Sequence, residues 1–239
     1  MRANKRHNAM SLRCRHIHFG FSGTDKILFH DLTFDWIEPG FHALFGPSGV
    51  GKSSLAKIML GQLSPDQGQI LADNNAGMFY THNMERLPGW SGIGRHLQQI
   101  TPVHNIEKKN ALVQIFGLSS LLNHRFSQLS LGQQNRINLV RYLVQDFDLL
   151  IMDESLANVD EKLRGHILVA VKAMFPKALF IYISHNVMEV ATFCKQIWIL
   201  RGAHKTPQIV KTSGLDQKDD NGVEQPALQR AMLEIMNAS

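Results

Sequence analysis

The sequence predicts an α/β fold built on a mainly parallel sheet, and three observations carry that reading. Three short runs, Ala43-Leu44-Phe45, Leu149-Leu150-Ile151-Met152 and Leu179-Phe180-Ile181-Tyr182-Ile183, are continuously apolar, as expected of strands covered on both faces. Each run stops abruptly at polar residues, in GPSGVGKSS, in DES and in SHN. Stretches of helical periodicity separate the runs, the alternation typical of α/β proteins. Ligands of open α/β sheets bind beyond the carboxyl ends of the strands. If the three strands are parallel, their polar ends meet at one edge.

The elements follow in order. After the first run, Leu55, Ile58 and Met59 have helical spacing, with Gly61 as the stop. Between about 83 and 127 no strand signal appears. LPGWSGIG reads as loop and NIEKKNALVQIFG as a helix closed by Gly117, which together make a small helical lobe inserted into the α/β body. Ile137, Val140 and Val144 mark a further helix, its apolar face widened by Leu139 and Leu143. SGLDQKDDNGVEQP reads as a polar linker to a short amphipathic helix carrying Leu228, Met232, Leu233 and Ile235. The expected division is one domain over 1–239: a core of 1–82 and 128–212, a lobe of 83–127, and a linker with C-terminal helix over 213–239.

Composition excludes several classes. A hydrophobic share of 44% and a charged share of 19% suit a soluble chain with a sizeable core. Arg2, Lys5, Arg6, Arg13 and Arg15 precede the first acidic residue, Asp25, and account for the net charge of +5. This basic tail reads as a solvated terminus, so no nucleic-acid partner is expected. Cys14 and Cys194 define neither a disulfide framework nor a zinc spacing, which points to a reducing compartment. No apolar run approaches the roughly 18 residues that span a bilayer, and the N-terminus lacks the apolar stretch of a secretory signal. His16 and His18 could share a strand face, but no third ligand stands near them in sequence.

Gly46, Pro47, Ser48, Gly49, Val50, Gly51, Lys52 and Ser53 fit G-x-x-x-x-G-K-[ST], and Ser54 follows. The motif lies between an apolar strand and a helix, the context it needs to act as a phosphate loop. Its glycines let backbone N–H groups crowd onto a polyphosphate, and the helix N-terminus adds a favourable dipole. Lys52 is then the contact to the β- and γ-phosphates and Ser53 a ligand of Mg²⁺. Asp153, closing LLIMD, is the second metal-binding group. Glu154 beside it suits a general base toward an attacking water. The combination points to nucleotide hydrolysis.

One polar stretch, SQLSLGQQNR, holds no general base and no ligand cluster. Here the chain resembles the ATPase subunits of ABC transporters over nearly its whole length. LSLGQ at Leu129 to Gln133 is similar to the family signature LSGGQ except at Leu131, and SLANVD ending at Asp160 resembles the family's D-loop. His185 in ISHN stands at the place of the switch histidine that contacts the γ-phosphate. Phe21, nine residues after Leu12, matches the aromatic that stacks on adenine. The resemblance implies a P-loop NTPase core with N-terminal antiparallel strands beside the parallel sheet. It also implies ATP and Mg²⁺ as cofactors.

Ser130 is a good N-cap, so LSLGQ reads as the start of a helix whose free N–H groups face an anion. In the family, that helix end (Ser130, Leu131, Gly132 and Gln133 here) covers the ATP held by a second subunit's phosphate loop. The chain is therefore expected to form a homodimer, or a heterodimer with a second ATPase subunit, enclosing two nucleotides.

The chain departs from the family at three positions. Counting back from LPGW, His82 holds the place of a glutamine that helps ligate magnesium and reports to the membrane partner. Leu131 replaces a glycine that lets backbone approach phosphate. Ser155 replaces a common proline. No fused membrane helices, second module, coiled coil or zinc insertion stands in the sequence. That suits a lone subunit at the cytoplasmic face of the inner membrane, serving separate integral-membrane permease subunits and an extracytoplasmic substrate-binding protein. The short gap between GQI and GMFY, and RLPGW after it, resemble the importer branch for nitrate, sulfonate and taurine. Two alternatives stay open: a weakly hydrolysing regulatory subunit, motivated by His82 and Leu131, and a lipid or lipoprotein exporter subunit. The extension after 212 is too short for a regulatory domain.

Overall fold

The structure, a computed structural model, describes residues 10–21, 23, 26–73, 77–83, 85–87, 92–219 and 221–239. Arg2, Lys5, Arg6 and Asp25, the gap at 74–76 and Pro88, Gly89 and Trp90 of RLPGW lie outside the described residues.

Two sheets form the body. In the first, β1 (Ser11–Gly20) runs antiparallel between β2 (Ile27–Trp36) and β4 (Gln67–Asp73). The second joins β3 (Gly40–Phe45), β5 (Met78–His82), β6 (Leu149–Asp153), β7 (Leu179–Ile183), β8 (Gln196–Leu200) and β9 (Ile209–Ser213). Its order is β5-β6-β7-β3-β8-β9, parallel throughout except for the antiparallel β8–β9 pair. The expected α/β class with antiparallel N-terminal strands is what the chain adopts.

The continuous apolar runs now have a physical cause. Along β6, Leu149 and Ile151 enter the core shared with the antiparallel sheet, while Leu150 and Met152 enter the core under the helices. Leu179, Ile181 and Ile183 of β7 divide from Phe180 and Tyr182 in the same way. With both faces buried, no polar alternation survives in the sequence. β3 is longer than its apolar run because it includes His42, which is fully buried.

Helices cover the faces. α1 (Lys52–Met59) packs in the core below the antiparallel sheet through Leu55, Ile58 and Met59, and Gly61 beyond its end takes φ 69°. α2 (Ile93–Ile100) and α3 (Ile106–Ile115) lie in the stretch between β5 and β6. Ile93, Leu97, Leu112 and Val113 join the core that α4 (Leu131–Leu143) enters with Ile137, Leu139 and Val140. α5 (Glu161–Met174) and α6 (Val187–Phe193) flank β7 in sequence.

The C-terminal segment corrects two expectations. In α7 (Gln225–Ala238), Leu228, Ala231 and Ile235 are buried, whereas Leu233 is 59% exposed. Leu233 lies five positions after Leu228, about 140° around the helix from it, so it cannot share that face. The polar stretch after β9 is no free linker. Asp216 pairs with Lys172 of α5 at 2.6 Å, and the Leu215 and Gln217 amides bond to carbonyls of α6. Near His16 and His18, Asp31 Oδ1 stands 2.6 Å from His16 Nδ1 and 4.0 Å from His18 Nε2. Among the described residues, no group of three such side chains is placed to hold a metal ion.

Candidate active site

β3, β6 and β7 are neighbours and parallel, so their polar ends share one edge. From β3 the chain turns through 46–51 into α1, whose N-cap Gly51 has φ 108°. Gly46 has φ 149°, and a Cβ there would lie 2.2 Å from the Leu200 carbonyl oxygen. Only glycine can stand there, because the loop leaves the sheet against the end of β8. Within the loop the Val50 amide bonds to the Pro47 carbonyl at 3.4 Å.

Lys52 is buried, and its Nζ donates to the carbonyl oxygens of Gly46 at 2.8 Å and Pro47 at 3.0 Å. Burial pushes this ammonium below the usual lysine range, and the Asp153 and Glu154 carboxylates pull it partly back. Next to it, Ser53 Oγ donates to Asp153 Oδ2 at 2.6 Å. The same oxygen takes the Tyr80 hydroxyl at 2.7 Å. Burial, then the bond to Asp153, raises the Tyr80 phenol well above its ordinary pKa, so it remains a donor.

Glu154 follows at φ 51°, a left-handed conformation uncommon for a non-glycine residue, with its amide bonded to the Ile183 carbonyl at 2.9 Å. That turn carries its carboxylate sideways to the end of β7, where Glu154 Oε1 lies 2.6 Å from His185 Nε2. Both side chains remain accessible, at 37% and 47%. Ser155, the residue in place of the family proline, is buried, and its Oγ donates to the Thr81 carbonyl at 2.9 Å.

Phe21, Ser48, Gly49, Gly51, Lys52, Ser53, Ser54, Asp153, Glu154 and His185 line one cleft of about 360 Å³, together with Lys26 and Leu28. Phe21 stands at its rim, 47% exposed and edge-on to Phe19. A second cleft of about 540 Å³ shares Ser53, Asp153 and Glu154 and is also lined by Tyr80, His82 and Asn83. There His82 bonds through Nδ1 to the Asn83 carbonyl at 2.8 Å. It is Tyr80 that reaches Asp153. Sequence reasoning missed Tyr80 because it sits inside the apolar run GMFY.

The signature residues line neither cleft. Ser130 caps α4 reciprocally: Ser130 Oγ accepts from the Gln133 amide at 3.3 Å, and Gln133 Oε1 accepts from the Ser130 amide at 2.9 Å. Leu131, in the first turn, is 51% exposed. A Cβ on Gly132 would lie 2.2 Å from the Asn158 carbonyl oxygen, so the start of α4 rests directly on the 155–160 turn. Asn135 Nδ2 adds bonds to the Ala157 carbonyl at 2.6 Å and to Asn83 Oδ1 at 3.0 Å. Asp160 caps α5 by accepting from the Leu163 amide at 3.2 Å.

The site fits a magnesium-bound polyphosphate. It offers a loop whose exit from the sheet requires glycine at Gly46, a lysine held at that loop, and a serine and a carboxylate already in contact. The family model described as ABC transporter matches residues 29–157. Over 179 residues the chain is 31% identical to a molybdenum import ATP-binding protein, ModC, of Mesorhizobium japonicum, covering 66% of this chain and 48% of the relative. Over 199 residues it is 32% identical to a nickel import ATP-binding protein, NikE, of Pseudomonas putida, covering 70% and 73%. The chain thus spans about half the length of the ModC relative. A bacterial Atm1-family ABC exporter solved with ATP bound superposes with a TM-score of 0.77 at 21% identity, covering 93% of this chain and 42% of that one. That likeness speaks for the fold. On the matched residues and these relatives, the chain belongs to the ABC transporter family.

Proposed function

We propose that this chain is the ATP-binding and hydrolysing subunit that energises passage of a small solute through a separate membrane permease. The observation that carries the proposal is the convergence, at one sheet edge, of Lys52, the Ser53–Asp153 pair and the Glu154–His185 pair around a single cleft. Phe21 at the rim offers a face for adenine, and the backbone N–H groups of 46–54 offer donors to the phosphates. Lys52 neutralises charge on the β- and γ-phosphates. Glu154 accepts the proton of a water as its oxygen attacks the γ-phosphorus, and the bond to the ADP oxygen breaks. His185 orients the γ-phosphate and is itself oriented by Glu154. Magnesium would be held by Ser53 and Asp153, with His82 as a further candidate ligand, and would supply charge neutralisation on the phosphates.

Ser130 to Gln133 stand apart from the chain's own cleft, which supports a nucleotide-sandwich dimer in which each signature helix caps its neighbour's ATP. Asp160 and its turn lie against the same helix end and belong to the same interface. The printed names of the ModC and NikE relatives describe import subunits. That favours an importer with a substrate-binding protein and a seat at the cytoplasmic membrane face. Among the described residues, no helix is long and apolar enough to cross a membrane. The narrower placement in the nitrate, sulfonate and taurine branch rests on the short gap in sequence between GQI and GMFY and on RLPGW.

The test is Glu154→Gln in the full chain. It is expected to lower phosphate release by about a hundredfold or more and to run as a dimer in gel filtration only with ATP. Hydrolysis at the parental rate would falsify the assignment.

A further inference from the structure

Behind His185 lies a buried carboxylate for which the reaction above has no use. Glu189, in the first turn of α6, is 5% exposed. Its Oε2 accepts from Tyr182 Oη at 2.8 Å and from Ser184 Oγ at 3.0 Å. Its Oε1 pairs with Arg164 Nε of α5 at 2.7 Å and accepts from Asn186 Nδ2 at 3.4 Å.

These partners are not scattered. Tyr182, Ser184 and Asn186 belong to the end of β7 and to the loop that carries His185. The Ser184 hydroxyl also accepts from the Asn186 amide at 3.1 Å, and Asn186 Oδ1 accepts from the Met188 and Glu189 amides at 3.0 and 3.2 Å. The two residues flanking His185 are thus held from beneath by one carboxylate. Arg164 comes from elsewhere: it lies in the first turn of α5, and its amide bonds to the Asp160 carbonyl at 2.8 Å. That turn follows 155–160, on which Gly132 of the signature helix rests. Taking a carboxylate out of water is costly even when it is paired, and a well-packed apolar group of similar volume often stabilises as well. A buried carboxylate with both oxygens occupied, paired to an arginine that keeps 19% of its side chain exposed, is therefore better explained by what it positions.

We infer that Glu189 is a positioning residue: it fixes the loop of His185 to the start of α5, so that the histidine is aligned on the nucleotide. The inference rests on the reading of His185 given above. Glu189 touches no nucleotide and acts only through Ser184, Asn186 and the backbone between them.

The experiment is a double-mutant cycle on the full chain with Glu189→Gln and His185→Ala, reading kcat, KM and equilibrium ATP binding. Glu189→Gln is expected to lower kcat about tenfold, to leave ATP binding and KM within about twofold, and to add nothing in the His185→Ala background. Ser184→Ala removes two bonds, the one to Glu189 Oε2 and the one from the Asn186 amide, without removing a charge, so it serves if the first variant does not fold. A loss of about threefold in kcat, absent in the His185→Ala background, is its expected result. Losses that multiply in both backgrounds mean a structural role and overturn the inference, as does an unchanged kcat in the variant that folds. His185→Ala at the parental rate removes the reading of the site and the coupling with it. A loss at His185→Ala with none at Glu189 or Ser184 removes the coupling alone.

Discussion

Tyr80 Oη donates to Asp153 Oδ2 at 2.7 Å, sharing that oxygen with the Ser53 hydroxyl at 2.6 Å. Tyr80→Phe leaves the buried Asp153 oxygen with one donor, at a cost of about 1 kcal/mol of stability. The carboxylate also loses the contact that orients it toward Ser53. The expected outcome is a several-fold rise in the magnesium concentration that half-saturates ATP binding, with metal-free ATP affinity unchanged. Calorimetric titration with and without magnesium checks it, and equal magnesium dependence in both proteins removes Tyr80 from the site.

Leu131 exposes about half its surface at the first position of α4, where an anion would have to approach the helix N-terminus. A bulky side chain there holds a phosphate away from the N–H groups that would bind it. Leu131→Gly is expected to raise steady-state phosphate release at saturating ATP a few-fold, about 1 kcal/mol. An equal or lower rate shows that Leu131 does not limit turnover.

His42 titrates within the fold rather than at the site. Its ring is fully buried, Nδ1 has no partner among the described residues, and Nε2 lies 3.1 Å from the Glu38 carbonyl oxygen. Burial lowers its pKa to about 4. The unfolded chain takes up the proton near pH 6.5, whereas the folded chain does so only near 4. The stability that the neutral ring allows is therefore present above pH 6.5 and lost progressively as pH falls toward 4. Denaturant midpoints between pH 7 and 5 are expected to fall in the parent and to fall less in His42→Leu. Parallel profiles in the two proteins assign the acid sensitivity elsewhere.

His42 also shows where sequence reading stops. β6 and β7 were legible because both faces of a central parallel strand are apolar, whereas β3 was shortened by a polar residue that tertiary packing buries. Asp153, Glu154 and His185 could be singled out because each lies at or just past a strand end marked by a sudden change of polarity, and Lys52 and Ser53 because they close a glycine-rich turn into a helix. The structure gathers all five at one sheet edge. Tyr80 could not be singled out, because its hydroxyl is hidden in an apolar run and matters only once β5 lies beside β6. Glu189 and Arg164 look in sequence like solvated helix charges, and only the meeting of α5 with α6 reveals the pair. Leu233 was misjudged on composition, since its angle around α7 places it in solvent.

The contact of Gly132 with Asn158 has a mechanical consequence. With no side chain between them, the tip of α4 and the 155–160 turn cannot slide past each other, and whatever grips one drags the other. A subunit seated on this face would therefore pull a single lever, running from the helix tip through α5 to the carboxylate under His185. In the proposed dimer, a change in that grip would thus reach the groups that carry the chemistry.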